Sequence, residues 1–168
     1  MKLTTKIALC GLFSALGCIA FIIEGLFPPL FIPGARLGIS NVFILLSTII
    51  LGGKYGFITL VIKVFLGSLF SGNLSAMLYS LPSGLIALIV EYILLRFTTK
   101  ISVLAISVCG AVINVSLQNV VFCIVTKTSQ YLVYLPYLAL IGVVSGLAVG
   151  FTVYLIIKNL HFARKTLN

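Results

Sequence analysis

The sequence carries little charge of either sign and very little acid. Only 8% of its 168 residues are charged. The chain has two carboxylates, Glu24 and Glu91, and eleven Lys and Arg residues. A soluble globular domain carries about 25% charged residues, because its surface faces water. With 61% hydrophobic residues and a mean hydropathy of +1.31, the chain is predicted to be an integral membrane protein.

The scarcity of acids and histidine argues against catalysis. Prenyl transfer from a diphosphate needs several carboxylates to hold Mg²⁺, and the chain has no aspartate. The lone His161 lies in the C-terminal tail, and the four cysteines show no CxxC spacing. A GxxxxGK[ST] phosphate-binding loop is also absent. We therefore predict that the protein is not an enzyme and uses no metal and no cofactor.

Apolar runs separated by Pro, Gly and Lys predict an all-α bundle of six transmembrane helices in one domain, residues 1–168. A span needs about 20 residues to cross a hydrocarbon core about 30 Å thick. The predicted helices cover residues 6–27, 39–51, 55–70, 74–97, 101–125 and 132–159. The second and third are short for full spans. They either tilt in a thinned bilayer or are extended by loop residues at their ends, and the alternative is a re-entrant hairpin that leaves four full spans.

The basic residues sit singly at the ends of apolar runs, and eight of the eleven fall on the side of the N-terminus. Arg36 and Lys127 fall on the other side, and Lys63 lies inside the third helix. The positive-inside rule therefore predicts a plasma-membrane protein with both termini in the cytoplasm. This dispersed pattern fits contact with lipid headgroups and not nucleic-acid binding, whose footprint is a basic stripe.

Ionisable residues within the apolar runs are candidate functional residues, because charge is costly at membrane depth. Lys63 lies mid-helix, where an ammonium group costs about 2.5–3.5 kcal/mol on insertion scales. It either faces inward and binds a ligand or snorkels to an interface. Glu91 is a candidate partner for Lys63. Glu24 is expected at the outer interface, where it can pair with Arg36.

Amide side chains form the second group of candidates. Asn114 and Gln118 of the fifth helix are four residues apart and share a face, and Asn119 follows directly. These amides either join neighbouring helices by hydrogen bonds or line a ligand cavity. Asn41 and Asn73, at helix ends, either cap helices or face the same cavity. Pro82 in the fourth helix predicts a kink, which serves packing or opens that cavity.

Small residues four apart in the first and last helices favour close helix packing. In the sixth helix they are Gly142, Gly146 and Gly150, and in the first helix they are Gly11, Ser14, Ala15 and Cys18. Internal packing explains both sets. For the first helix, a face that docks on a partner subunit is the alternative.

Several segments resemble a known family. The runs PGARLGISNVFILLSTIILGGKYGF, KVFLGSLFSGNLSAMLYSLPSG, GAVINVSLQNVV and YLPYLALIGVVSGLAVG are similar to Gx transporters, also labelled heptaprenyl diphosphate synthase component I. That family resembles the substrate-binding S components of energy-coupling factor (ECF) transporters. The resemblance implies a loop that gates the site between the first two helices, and a first helix that docks on a coupling subunit served by partner ATPases. Lys63 stands where the family usually has Arg, and Gly11 and Ala15 replace the usual docking alanines.

The leading hypothesis is a substrate-binding or transport subunit for a small, anionic or amphipathic molecule such as a vitamin, flavin or isoprenoid precursor. Cations would attract the ligand, amides would orient it, and tyrosines would line the mouth. The candidate residues are Arg36, Lys63, Asn73, Tyr79, Asn114, Gln118, Asn119, Tyr131 and Tyr134. The alternative is a non-catalytic membrane subunit that supports heptaprenyl diphosphate and quinone synthesis or a flavin-based electron-transfer assembly. A third hypothesis is that the protein serves only as a structural anchor in the membrane.

Overall fold

The computed structural model describes residues 2–26, 38–97 and 101–166, with side chains up to residue 159. These residues form six α-helices and one 3-10 helix, and within the described ranges there is no strand. The fold is therefore all-α, as predicted. The elements are α1 (Leu3–Leu26), α2 (Asn41–Leu51), α3 (Gly53–Phe70), α4 (Leu74–Phe97), α5 (Val103–Thr126), the 3-10 helix η1 (Ser129–Tyr134) and α6 (Leu135–Thr166).

Five helices, α1 and α3 to α6, are long and apolar enough to cross a membrane. The shortest of them, α3, has 18 residues, or about 27 Å at 1.5 Å per residue. The 11 residues of α2 cover only about 16 Å, roughly half of a hydrocarbon core. The chain is thus a multi-pass membrane protein, but α2 lacks the length of the sixth full span that was predicted.

Glycine, asparagine and proline mark the helix ends. Gly52 is the one residue between α2 and α3, and its φ of 106° is a backbone conformation that favours glycine. Asn73 directly precedes α4 and caps it, because its Oδ1 accepts a hydrogen bond from Ala76 N at 3.1 Å. The largest difference from prediction is the end of α6, at Thr166 instead of 159, and its start lies at Leu135 instead of 132. Proline fits the first turn of a helix but not its interior, and Pro136 therefore holds the helix start at this point.

The short helix α2 lies inside the bundle. It contacts α1, α3, α4 and α6, and most of its residues are buried. Its hydroxyl groups are paired within the protein: Thr48 Oγ1 donates to Ile44 O at 2.8 Å, and Thr59 of α3 donates to Ser47 Oγ at 3.0 Å. An apolar helix with its polar groups paired in this way is typical of a buried position.

Glycines bring α6 close to the backbone of α5. A Cβ on Gly146 would lie 2.6 Å from Val108 Cα, and those on Gly142 and Gly150 would each lie 2.9 Å from a Cα atom of α5. These neighbours are backbone atoms, which cannot turn aside as a side chain can. The internal packing predicted for the α6 glycines is therefore confirmed.

The small residues of α1 face two directions. Ser14 and Cys18 are buried, and Ser14 Oγ donates to Cys10 O at 2.8 Å. Gly11 and Ala15 are exposed, and no neighbouring atom of the described residues lies within 4 Å of where a Cβ on Gly11 would be. The set predicted to dock on a partner therefore divides between the bundle interior and the outer surface.

Candidate functional site

A polar cavity lies inside the bundle, between the C-terminal part of α1, the start of α2, and the helices α3, α4 and α5. Its free space has room for about one water molecule. Apolar groups of Phe21, Leu60 and Val64 form part of its wall. The polar lining residues are Glu24, Ser40, Asn41, Lys63, Ser80, Asn114 and Gln118.

Lys63 is buried in the cavity wall, with 3% of its surface exposed. Its Nζ donates hydrogen bonds to Ser40 Oγ at 3.1 Å and to Asn41 Oδ1 at 2.8 Å. It also lies 5.6 Å from the centroid of the Phe21 ring, within cation–π range. The aliphatic stem passes Gly17, where a Cβ would lie 3.3 Å from Lys63 Cδ. Lys63 therefore faces inward and does not snorkel to the surface.

Glu24 belongs to the same cluster. Its Oε1 accepts from the Ser40 backbone N–H at 2.6 Å, and its Oε2 accepts from Ser40 Oγ at 3.4 Å. Ser40 thus connects this carboxylate to the ammonium group of Lys63. Buried charges are tolerated when an opposite charge and hydrogen bonds compensate them. Glu24 is buried inside the protein, its position at the outer membrane interface stays a prediction, and its predicted partner Arg36 lies outside the described residues.

The turn before α2 brings these groups together. The N–H of Asn41 donates to Gly38 O at 2.9 Å, and Gly38 has a φ of 81°. A Cβ on Gly38 would also lie 2.9 Å from Asn41 Nδ2, so both the backbone conformation and the space favour glycine. The turn directs Ser40 toward Glu24 and Asn41 toward Lys63.

Helix α5 contributes two of the predicted amides to the cavity. Gln118 Nε2 donates to Ser80 Oγ at 3.5 Å, a long hydrogen bond. Asn114 is 4% exposed, and within the described part of the chain its Oδ1 has no hydrogen-bond partner. Leaving a buried acceptor unpaired costs about 1–3 kcal/mol. A water molecule or a ligand with an N–H or O–H group is therefore expected beside Asn114.

Three other predicted ligand residues lie outside the cavity and have structural contacts. Asn119 Nδ2 donates to Tyr131 O at 2.9 Å and so fastens η1 to α5. Tyr79 is buried in an apolar cluster and meets the ring of Phe122 edge-on at 5.4 Å. Asn73 caps α4. Of the nine predicted ligand residues, the structure brings Lys63, Asn114 and Gln118 together at the cavity.

Glu91 and Pro82 are the two residues of α4 that the sequence marked as candidates, the first as a partner of Lys63 and the second as the site of a kink. Glu91 is buried beside α5, where the absence of a side chain at Gly110 leaves room for it, and it is not among the cavity-lining residues. The helix continues through Pro82, which removes one backbone hydrogen bond. Ser80 and Gly84, on either side of this proline, line the cavity.

Sequence reasoning did not assign Glu24 and Ser40 to the cavity. Glu24 lies near the end of an apolar run, where an acid is also compatible with the headgroup region. Ser40 lies at a helix start, where serine is common as a cap. Charge balance was the signal that could have indicated Glu24. A lysine buried in the membrane needs a counter-charge, and the chain has only two carboxylates that can supply it.

The groups that converge on the cavity are suited to binding. They are one ammonium, one carboxylate, three amides and two hydroxyls, which can orient a ligand by charge and hydrogen bonds. Across the described residues, no group of three or more His, Cys, Asp or Glu side chains is placed to hold a metal ion.

A family model described as heptaprenyl diphosphate synthase component I matches residues 13–156. The match covers most of the sequence, and the chain therefore belongs to this family. The resemblance to this family noted in the sequence is thereby confirmed. The description names one component of a synthase, which implies a partner component, and does not assign catalysis to this one. Comparisons with curated proteins and with solved structures found no match.

Proposed function

We propose that this member of the component I family is a membrane-embedded subunit that binds a small polar or amphipathic molecule in the cavity around Lys63. The observation that carries the proposal is the buried Oδ1 of Asn114, which has no hydrogen-bond partner among the described residues and belongs to a residue that lines the same cavity as Lys63 and Glu24. A membrane anchor has no use for such a group, because an apolar side chain fills a bundle interior at lower cost. A binding site uses it for recognition.

A transport role is the form of this proposal that the position of the cavity favours. Glu24 is near the end of α1, Ser40 is near the start of α2, and Ser80 is in the first half of α4. These positions share one end of the bundle, which is the outer side if both termini are cytoplasmic. In this arrangement, a plasma-membrane subunit would receive its ligand from outside.

The energy for transport would come from partner proteins. As in the S components that the sequence resembles, a coupling subunit would connect the chain to ATPases. The exposed Gly11 and Ala15 are the part of the small-residue set on α1 that such a subunit can reach. Close approach of two helices over small residues is a common way of packing in membranes.

Small molecules that stay bound during purification test the proposal. The wild type, Lys63→Ala and Lys54→Ala would be purified gently into lipid nanodiscs, and the released molecules would be identified by mass spectrometry. Lys54 is exposed at the start of the same helix and is the matched control. We expect a molecule that the wild type and Lys54→Ala retain and that Lys63→Ala loses by about tenfold or more.

Misfolding of Lys63→Ala would imitate loss of binding, because Glu24 would stay buried without its counter-charge. The double variant Glu24→Gln, Lys63→Met removes both charges together and is the folding control. If this variant is monodisperse and retains the same molecules as the wild type, the proposal fails.

The family description favours a second candidate function, a non-catalytic membrane subunit that supports heptaprenyl diphosphate synthesis. Affinity capture with the tagged full chain separates the two. Capture of a soluble prenyl diphosphate synthase, with increased product formation and no small ligand, would favour the second candidate. Capture of coupling and ATP-binding subunits, with uptake lost in Lys63→Ala, would favour transport.

A further inference from the structure

We infer that the ligand of the cavity carries no net charge and presents an N–H or O–H group to Asn114 Oδ1, with an apolar body beside Phe21, Leu60 and Val64. This inference rests on the proposed binding function and names the ligand class. Of the two ligand classes expected from the sequence, anionic or amphipathic, it keeps the amphipathic one.

The first step is the charge balance of the cavity. Among the described lining residues there is one cation, Lys63, and one anion, Glu24. Both are hydrogen-bonded to Ser40, Lys63 through its Nζ and Glu24 through both oxygens. An added anion would meet the carboxylate as well as the ammonium group. It would lose its hydration inside the bundle, and the described lining residues hold no surplus of positive charge to replace it.

The second step is the hydrogen-bonding type that Asn114 requires. The oxygen of a side-chain amide only accepts, so its partner must be a donor. Ionised carboxylates have only acceptors and would leave Asn114 Oδ1 unpaired. The nearest amide in sequence on the same face, Gln118, donates to Ser80. A neutral amide, hydroxyl or ring N–H supplies what Asn114 lacks.

The third step is the apolar part of the wall. Phe21, Leu60 and Val64 line the cavity and belong to one buried cluster together with Leu88. A ligand that meets both Asn114 and this cluster is amphipathic. The present free space fits about one water molecule, so a larger ligand of this class requires that these lining groups move apart.

Three probes of nearly equal size test the ligand class. Benzamide is neutral and donates through N–H, benzoate is an anion without a donor, and methyl benzoate is neutral without a donor. Binding to the full chain would be measured by equilibrium dialysis. Thermal unfolding would be followed in parallel with a thiol-reactive fluorophore, since Cys10, Cys18 and Cys123 are buried. We expect benzamide to bind about tenfold more tightly than either other probe.

Two variants on α5 locate the effect. Asn114→Leu removes the acceptor, and the advantage of benzamide should disappear. Asn119→Leu makes the same change at an amide that bonds Tyr131 O outside the cavity, and the advantage should persist. An advantage that survives in folded Asn114→Leu overturns the role of Asn114.

The remaining outcomes separate this inference from the proposed function. If benzoate or inorganic pyrophosphate binds as tightly as benzamide, the ligand class is wrong, but a binding cavity exists. If no probe binds at millimolar concentration, the ligand class is also overturned. The proposed function is then tested separately: it stands if the wild type retains a molecule during purification that Lys63→Ala loses.

Discussion

The two sides of α5 show two different uses of a helix surface in a membrane. On one side, the glycines of α6 approach so closely that a Cβ on Gly146 would lie 2.6 Å from Val108 Cα. On a neighbouring face, Asn114 and Gln118 line a polar cavity, and one buried oxygen has no partner among the described residues. Close packing of small residues stabilises helix pairs in lipid, whereas an unpaired polar atom reduces stability. Close packing and the proposed recognition site thus lie on neighbouring faces of one helix.

The largest expected effect is at the α5–α6 contact. Gly146→Leu inserts a side chain against backbone atoms that cannot turn aside, and it should reduce the free energy of unfolding by about 3 kcal/mol or more. Gly11→Leu is the matched control, because no neighbouring atom of the described residues lies within 4 Å of that position. Its effect should stay within about 0.5 kcal/mol. Thermal unfolding and the monodisperse fraction after extraction measure both, and equal losses would contradict the assignment of stability to this contact.

An intermediate effect is expected in the cavity, at Lys63. Lys63→Ala leaves the buried carboxylate of Glu24 without its counter-charge and should cost about 3 kcal/mol. Adding Glu24→Gln should restore part of this loss, because the second change removes the uncompensated charge. A double-mutant cycle on unfolding free energies measures the coupling. Additive effects of the two substitutions would show that the charges do not stabilise each other.

The smallest expected effect is the difference in unfolding free energy between substitutions at two asparagines of α5. Asn119→Leu should destabilise the protein by about 1 kcal/mol, since the Tyr131 carbonyl loses its donor. Asn114→Leu should be neutral or stabilising, because it removes an oxygen without a partner among the described residues. Unfolding free energies of the two variants in the same detergent provide the test. If Asn114→Leu costs as much as Asn119→Leu, Asn114 has a structural partner and the cavity is not a recognition site.

Most helix positions were predictable because their signals are local. The bounds of α4 agree with the prediction at both ends, where Asn73 caps the start and the apolar run ends after Phe97. The length of α2 was also visible in the sequence, but its place inside the bundle depends on contacts with four other helices. An apolar run of this length is compatible with a short span or a buried helix, and periodicity alone does not decide between them.

The cavity was only partly predictable. Lys63, Asn114 and Gln118 stood out because polar groups are rare at membrane depth. Glu24 and Lys63 meet at Ser40, which is 16 residues from one and 23 from the other, and no local pattern encodes such contacts. Asn119 has the same side chain as Asn114, but its Nδ2 donates a hydrogen bond to the backbone carbonyl of Tyr131. Residue type indicates which groups need partners, and only the tertiary structure shows which partners they find.

Glu24 and Lys63 carry opposite charges and are bonded to the same serine at the start of α2. A single charge that crosses the membrane potential changes in energy by about 2.3 kcal/mol per 100 mV. A joint displacement of these two groups transfers no net charge across the field. Movements that open the cavity are therefore expected to be nearly independent of voltage, so that an uncharged ligand would be bound equally well in energised and de-energised membranes.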